Sequence, residues 1–103
     1  MNQDIEKIRD IILRSVDCEK LYLFGSHAYG TPGEGSDYDF YVIVSDDGIR
    51  PGEAADVIYH ALYKKTNRKP VDVLVKRASD FERRRGMPTL ENEIFRKGVL
   101  LYG

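Results

Sequence analysis

Two aspartates, Asp37 and Asp39, stand at the mouth of the apolar run Tyr38 to Val44, and a third, Asp72, stands alone inside the apolar run "VDVLV" at 71–75. Alternate residues of a β-strand point to one face with Cα atoms about 6.6–7 Å apart. Asp37 and Asp39 therefore share a face, where two like charges repel and lose hydration unless a cation stands between them. Divalent ions answer that need: two ions about 3.5–4 Å apart can be bridged by converging carboxylates and can stabilise both oxygens of an in-line phosphoryl displacement. Magnesium suits this role, because it takes hard oxygen ligands and leaves positions for a substrate's phosphates. Asp72 joins the pair if the third strand lies beside the second. The plain alternatives are a turn at 37–39 and an edge-strand Asp72 facing water.

The preceding segment, "LFGSHAYGTPGEGSDYDF", offers a partner for phosphate. Gly25-Ser26 follows an apolar run directly, and a glycine in a strand-to-helix turn lets backbone N–H groups approach a phosphate while the serine hydroxyl adds a donor. Gly30, Pro32, Gly33 and Gly35 let the chain bend between that turn and Asp37.

Regular elements have to hold these groups. Ile5, Ile8, Ile12 and Val16, with Ile11 and Leu13, have the period of an amphipathic helix that Asn2 or Asp4 could cap. "LYLF" (21–24) and Tyr38–Val44 read as strands, the second closed by "SDDG". Pro51 suits a first helical turn, and Ala54, Ile58, Ala61 and Leu62 continue its stripe to about Lys65, where "TNRKP" breaks it. "VDVLV" is a third strand, "SDFE" (79–82) has capping-box spacing, Thr89 with Asn92 resembles a second cap, Gly98 marks a helix end, and "VLLY" (99–102) reads as an edge strand. The expected fold class is α/β, with helices packed on a small mixed sheet in one domain spanning 1–103.

Composition narrows the function classes. With 103 residues, 42% hydrophobic, 32% charged and a net charge of -1, the chain suits a soluble protein without a bulk electrostatic case for nucleic acid. Cys18 is the only cysteine, and with His27 and His60 it matches no zinc spacing. The charged N-terminus and the lack of an apolar span of about 20 residues predict a cytoplasmic protein with no membrane partner.

Gly25-Ser26, ten intervening residues, Asp37-Tyr38-Asp39 and the later strand-borne Asp72 closely resemble the signature of the DNA polymerase β-like nucleotidyltransferase superfamily. Size and layout resemble its smallest members, the minimal nucleotidyltransferases or MNT proteins. The resemblance implies the nucleotidyltransferase fold and magnesium-dependent transfer of a nucleoside monophosphate, AMP from ATP in the first instance, with release of pyrophosphate. It implies that Asp37 and Asp39 bind two Mg2+ ions, that Asp72 completes the site and helps activate the acceptor hydroxyl, and that Gly25 and Ser26 hold the triphosphate. It further implies a HEPN-type toxin encoded nearby, with a toxin tyrosine as acceptor and this chain as antitoxin. Two other functions fit the resemblance: neutralisation by complex formation alone, and transfer to a small molecule of the aminoglycoside type. Many relatives carry arginines shortly after Gly-Ser, whereas this chain has His27 and Tyr29.

The remaining marked residues have plainer readings. His27 is expected to be a loop residue near the site, and Tyr22, Tyr41 and Tyr102 are expected to pack on strands. Arg83, Arg84 and Arg85 form a solvated helix face or a docking surface for an acidic group, and Lys64, Lys65, Arg68 and Lys69 form a similar cluster.

Overall fold

The computed structural model describes residues 2–30, 32–33, 36–65 and 70–103, so Gly35, Arg68 and Lys69 lie outside the described residues. Nine elements follow in the order α1 (Gln3–Ser15), β1 (Lys20–Phe24), α2 (Ser26–Tyr29), β2 (Tyr38–Val44), α3 (Pro51–Lys65), β3 (Val71–Arg77), α4 (Ala78–Arg84), α5 (Leu90–Lys97) and β4 (Val99–Tyr102). The strands form one mixed sheet in the order β3-β2-β1-β4. β1 runs antiparallel to both β2 and β4, while β2 and β3 run parallel, joined through α3 as a parallel pair requires.

β2 is buried on both faces. Phe40, Val42 and Val44 pack with Ile8, Ile12 and Ile58 under α1 and α3, while Tyr41 and Ile43 pack with Phe81 and Ile94 under α4 and α5. This two-sided cover explains why the strand reads as a nearly unbroken apolar run rather than an alternating one. β3 is covered on one side only. Val73 and Val75 enter the core, whereas Asp72, Leu74 and Lys76 face outward.

The helix ends follow the sequence signals with one exception. Asn2 Oδ1 accepts from the Ile5 amide at 2.8 Å, and Thr89 Oγ1 accepts from the Asn92 amide at 3.2 Å. The Gly98 amide donates to the Ile94 carbonyl at 2.8 Å, and a Cβ at Gly98 would meet that carbonyl oxygen at 2.6 Å. "SDFE" is not a capping box. α4 begins two residues earlier than such a box would start it, after Arg77, and the Ser79 amide is capped by Asp46 Oδ1 at 2.9 Å from the turn after β2. A side chain distant in sequence took the place of the local one. β3 also runs two residues beyond "VDVLV", to Arg77, whose guanidinium donates to the carbonyls of Ser45 and Asp46 at 2.8 and 2.9 Å.

Candidate active site

The strand register brings the marked residues to one end of the sheet. Phe24, Asp39 and Asp72 lie in a row across three strands, because Phe24 is the Cα partner of Asp39 and Asp39 is the Cα partner of Asp72. Since β1 runs opposite to β2, its C-terminal end and the Gly25-Ser26 turn arrive at the end where β2 and β3 begin. The Tyr38 amide donates to the Pro70 carbonyl at 3.0 Å, continuing the parallel ladder toward Asp37.

Gly25 is required at the junction by its backbone and by space. Its φ of 78° and ψ of -162° lie in a region that side chains rarely enter, and a Cβ there would collide with Asp39 Oδ2. The Asp39 carboxylate therefore lies directly against the backbone of the turn. Beyond Gly25 the chain forms α2, one helical turn in which the Ala28 amide donates to the Gly25 carbonyl at 3.0 Å. Sequence reading gave this stretch as a turn and loop, since four residues are too few to show a helical period.

The electrostatics match the crowding. The Asp39 carboxyl is pushed above the ordinary aspartate value of 3.8, first by burial and then by the charges of Asp72 and Asp37, while His27 draws it partly back. Asp72 is pushed up as well, by desolvation, by a hydrogen bond with Asp37 and by the charge of Asp37. Asp37 thus lies within electrostatic reach of Asp72, and Asp39 within reach of both. Among the described residues no three His, Cys, Asp or Glu side chains form a ready-made metal cage. The donor set itself fits a divalent cation: hard carboxylate oxygens on neighbouring backbone positions, with those of Asp39 and Asp72 pushed up by burial and by the nearby acids.

His27 and Tyr29 both lie beside the acids. The His27 ring stacks on Tyr38 with centroids 4.1 Å apart, and its Nε2 is 3.3 Å from the Ser36 carbonyl. The pKa of the Tyr29 phenol is pushed up by burial and by the nearby Glu93 and Asp39, and the Gly25 main chain draws it partly back.

One polar cluster escaped sequence reading. Glu91 is only 3% exposed, and its carboxylate accepts from the Tyr41 hydroxyl at 2.8 Å and from Arg84 Nε at 3.0 Å. Burial alone would raise its pKa, but the Tyr41 hydroxyl, a backbone hydrogen bond and the Arg84 guanidinium together hold it below the usual value. The one signal in the sequence was Tyr41 itself, since a tyrosine inside a buried strand needs a partner for its hydroxyl. Tyr22 and Tyr41 are packed as expected, whereas Tyr102 is 48% exposed on edge strand β4. Arg83, Arg84 and Arg85 are each matched to an acid, Asp80 at 2.8 Å, Glu91 at 3.0 Å and Glu82 at 2.9 Å, and Arg85 also lies over the Phe95 ring. That leaves little free charge on this face for an acidic partner.

The family model for "Polymerase beta, Nucleotidyltransferase" matches residues 6–103. The chain belongs to the polymerase β nucleotidyltransferase family. Within that family's fold it superposes, with a TM-score of 0.61, on a chain from the "Crystal structure of the toxin-antitoxin with AMP-PNP". The two chains are 21% identical over 99% of this chain and 74% of that one. Among curated proteins none matches. Membership in the nucleotidyltransferase family supports nucleotidyl transfer as the general activity, and no described helix is long and apolar enough to cross a membrane.

Proposed function

We propose that this member of the polymerase β nucleotidyltransferase family transfers AMP from ATP to a tyrosine hydroxyl of a HEPN-like toxin, and so acts as an antitoxin. The observation that carries the reading is the row Phe24–Asp39–Asp72, with Gly25 lying against Asp39. In that row the Gly25-Ser26 turn lies beside carboxylates from two strands, as this reading needs. The similar chain from a toxin–antitoxin crystallised with AMP-PNP supports both the nucleotide and the kind of partner.

In this reading Gly25 and Ser26 bind the triphosphate through main-chain N–H groups and the serine hydroxyl. Asp37, Asp39 and Asp72 would hold Mg2+, two ions in the full assembly, which would supply charge neutralisation for the phosphates and for the attacking and leaving oxygens. Asp72 orients the acceptor hydroxyl and takes its proton as the new bond to the α-phosphorus forms. The bond from the α-phosphorus to the pyrophosphate breaks, and pyrophosphate leaves.

A second reading, neutralisation by complex formation without chemistry, draws on Tyr29. The Tyr29 phenol ends the helical turn that follows Gly25-Ser26 and lies within electrostatic reach of Glu93 and Asp39, where a triphosphate would favour a cation. Co-expression of the toxin with the Asp37→Ala/Asp39→Ala chain separates the two. Loss of both labelling and neutralisation supports transfer, whereas neutralisation that survives without labelling supports the second reading.

A further inference from the structure

The parallel pair β2–β3 fixes where α3 ends. The helix carries the chain from the C-terminal end of β2 back to the N-terminal end of β3, the end that bears Asp39 and Asp72. Tyr59 sets its level against the strand: its hydroxyl accepts the Val73 amide at 2.8 Å and lies 3.4 Å from the Val73 carbonyl oxygen. Tyr63 follows one helical turn later, about 6 Å along the axis, close to the rise of two strand residues. It therefore stands level with Val71, the neighbour of Asp72. Tyr63 is 89% exposed, and Lys64 and Lys65, which end the helix, are exposed as well. Lysines in a last turn also complement the helix dipole, so the phenol rather than the charge carries the argument. Among the seven tyrosines it stands apart. Tyr22, Tyr38 and Tyr41 are buried, Tyr59 spends its hydroxyl on Val73, and Tyr102 lies on β4 at the opposite edge of the sheet. Tyr29 is less than half as exposed and closes the helical turn after Gly25. Tyr63 is thus the phenol that is both open to another molecule and carried at the acid-bearing end.

We propose that Tyr63 is itself an acceptor, and that one copy of the chain transfers AMP from ATP to Tyr63 of a second copy. Site and acceptor lie at the same end of one molecule, so an isologous contact between two such ends sets Tyr63 of each copy against the acids of the other. Charge favours that contact. Lys64 and Lys65 travel with Tyr63 and meet Asp37, Asp39, Asp72 and the triphosphate of the facing copy. The Tyr63 oxygen forms a bond to the α-phosphorus, the bond from the α-phosphorus to pyrophosphate breaks, and the phenolic proton passes to Asp72 of the acting copy. The products are a tyrosine–AMP phosphodiester and pyrophosphate. This inference rests on the nucleotidyl-transfer reading and adds a second protein acceptor to it.

The test mixes the wild-type chain with a tagged chain carrying Asp37→Ala/Asp39→Ala, which can accept AMP but not transfer it. Both are incubated with Mg2+ and ATP labelled at the α-phosphorus, and the label is mapped by peptide mass spectrometry. The expected result is label on Tyr63 of the tagged chain, lost when that chain also carries Tyr63→Phe and kept when it carries Tyr102→Phe instead. Labelling is expected to fall as salt rises, because the lysines and acids that meet are exposed. Tyr63→Phe changes an exposed position, so its Tm is expected to match that of the parent, and in the wild-type background it is expected to leave labelling of the proposed HEPN-like partner intact. Label on that partner with none on Tyr63 overturns this inference alone, as does label on the tagged chain at other residues with Tyr63 unmodified. No label on either protein overturns both this inference and the transfer reading.

Discussion

Asp39 and Asp72 are direct Cα partners across the parallel pair β2–β3, although 33 positions separate them in the chain. Placing two carboxylates on adjacent strands works against the metal-free fold and, in the proposed reading, serves a cation. Both carboxyls titrate above 3.8, so the folded chain holds their protons more tightly than the unfolded chain does. Between the unfolded and folded values, stability therefore falls as pH rises.

Asp39→Asn is accordingly expected to raise the Tm of the metal-free protein at neutral pH while reducing transfer by about 100-fold or more. Differential scanning calorimetry in EDTA, paired with a transfer assay, checks both halves. A lower Tm in EDTA would contradict the electrostatic account.

The same raised values set the pH response of transfer. Ionised carboxylates are the form that binds a cation, so the acidic limb of kcat/KM is expected at higher pH than an ordinary aspartate at 3.8 would give. Raising the Mg2+ concentration should move that limb back to lower pH. A limb insensitive to Mg2+ would show that other groups control it.

Gly25→Ala is expected to disable the site in two ways. Its backbone conformation costs a residue with a side chain of order 1–3 kcal/mol, and the added methyl collides with Asp39 Oδ2. Urea unfolding should show a loss in that range, and transfer should be lost even in the fraction that remains folded.

Tyr59→Phe provides the contrasting case. The Tyr59 hydroxyl accepts the Val73 amide at 2.8 Å, covering part of the exposed edge of β3. Its loss is expected to cost about 0.5–1.5 kcal/mol in urea unfolding while transfer is retained in the folded protein. Loss of transfer at full occupancy of the fold would extend the site to the β3 edge.

Much of this arrangement was legible in the sequence because it depends on local pattern. The alternation around Asp37 and Asp39, the apolar run holding Asp72, Asn2 and Thr89 as caps and Pro51 at a helix start all depend on neighbours within a few residues. What was not legible depends on contacts distant in sequence. Ser79 lost its capping role to Asp46, and Glu91 could be placed only once α5 was known to lie over Tyr41, 50 positions earlier. α2 fell between the two, a single turn closed by backbone bonds to Gly25 and too short for a periodic signal. The pairing of Asp39 with Asp72 was a conditional expectation, because it depends on β3 lying beside β2 across the α3 crossover.

The most direct test of the central claim uses ATP labelled with 32P at the α- or the γ-position. Each is incubated with Mg2+, this chain and the proposed HEPN-like partner, and the protein-bound label is located by mass spectrometry. Nucleotidyl transfer predicts that α-label but not γ-label enters a tyrosine of the partner, and that Asp37→Ala/Asp39→Ala abolishes it. No α-label above background, or equal labelling by the double variant, would contradict the account.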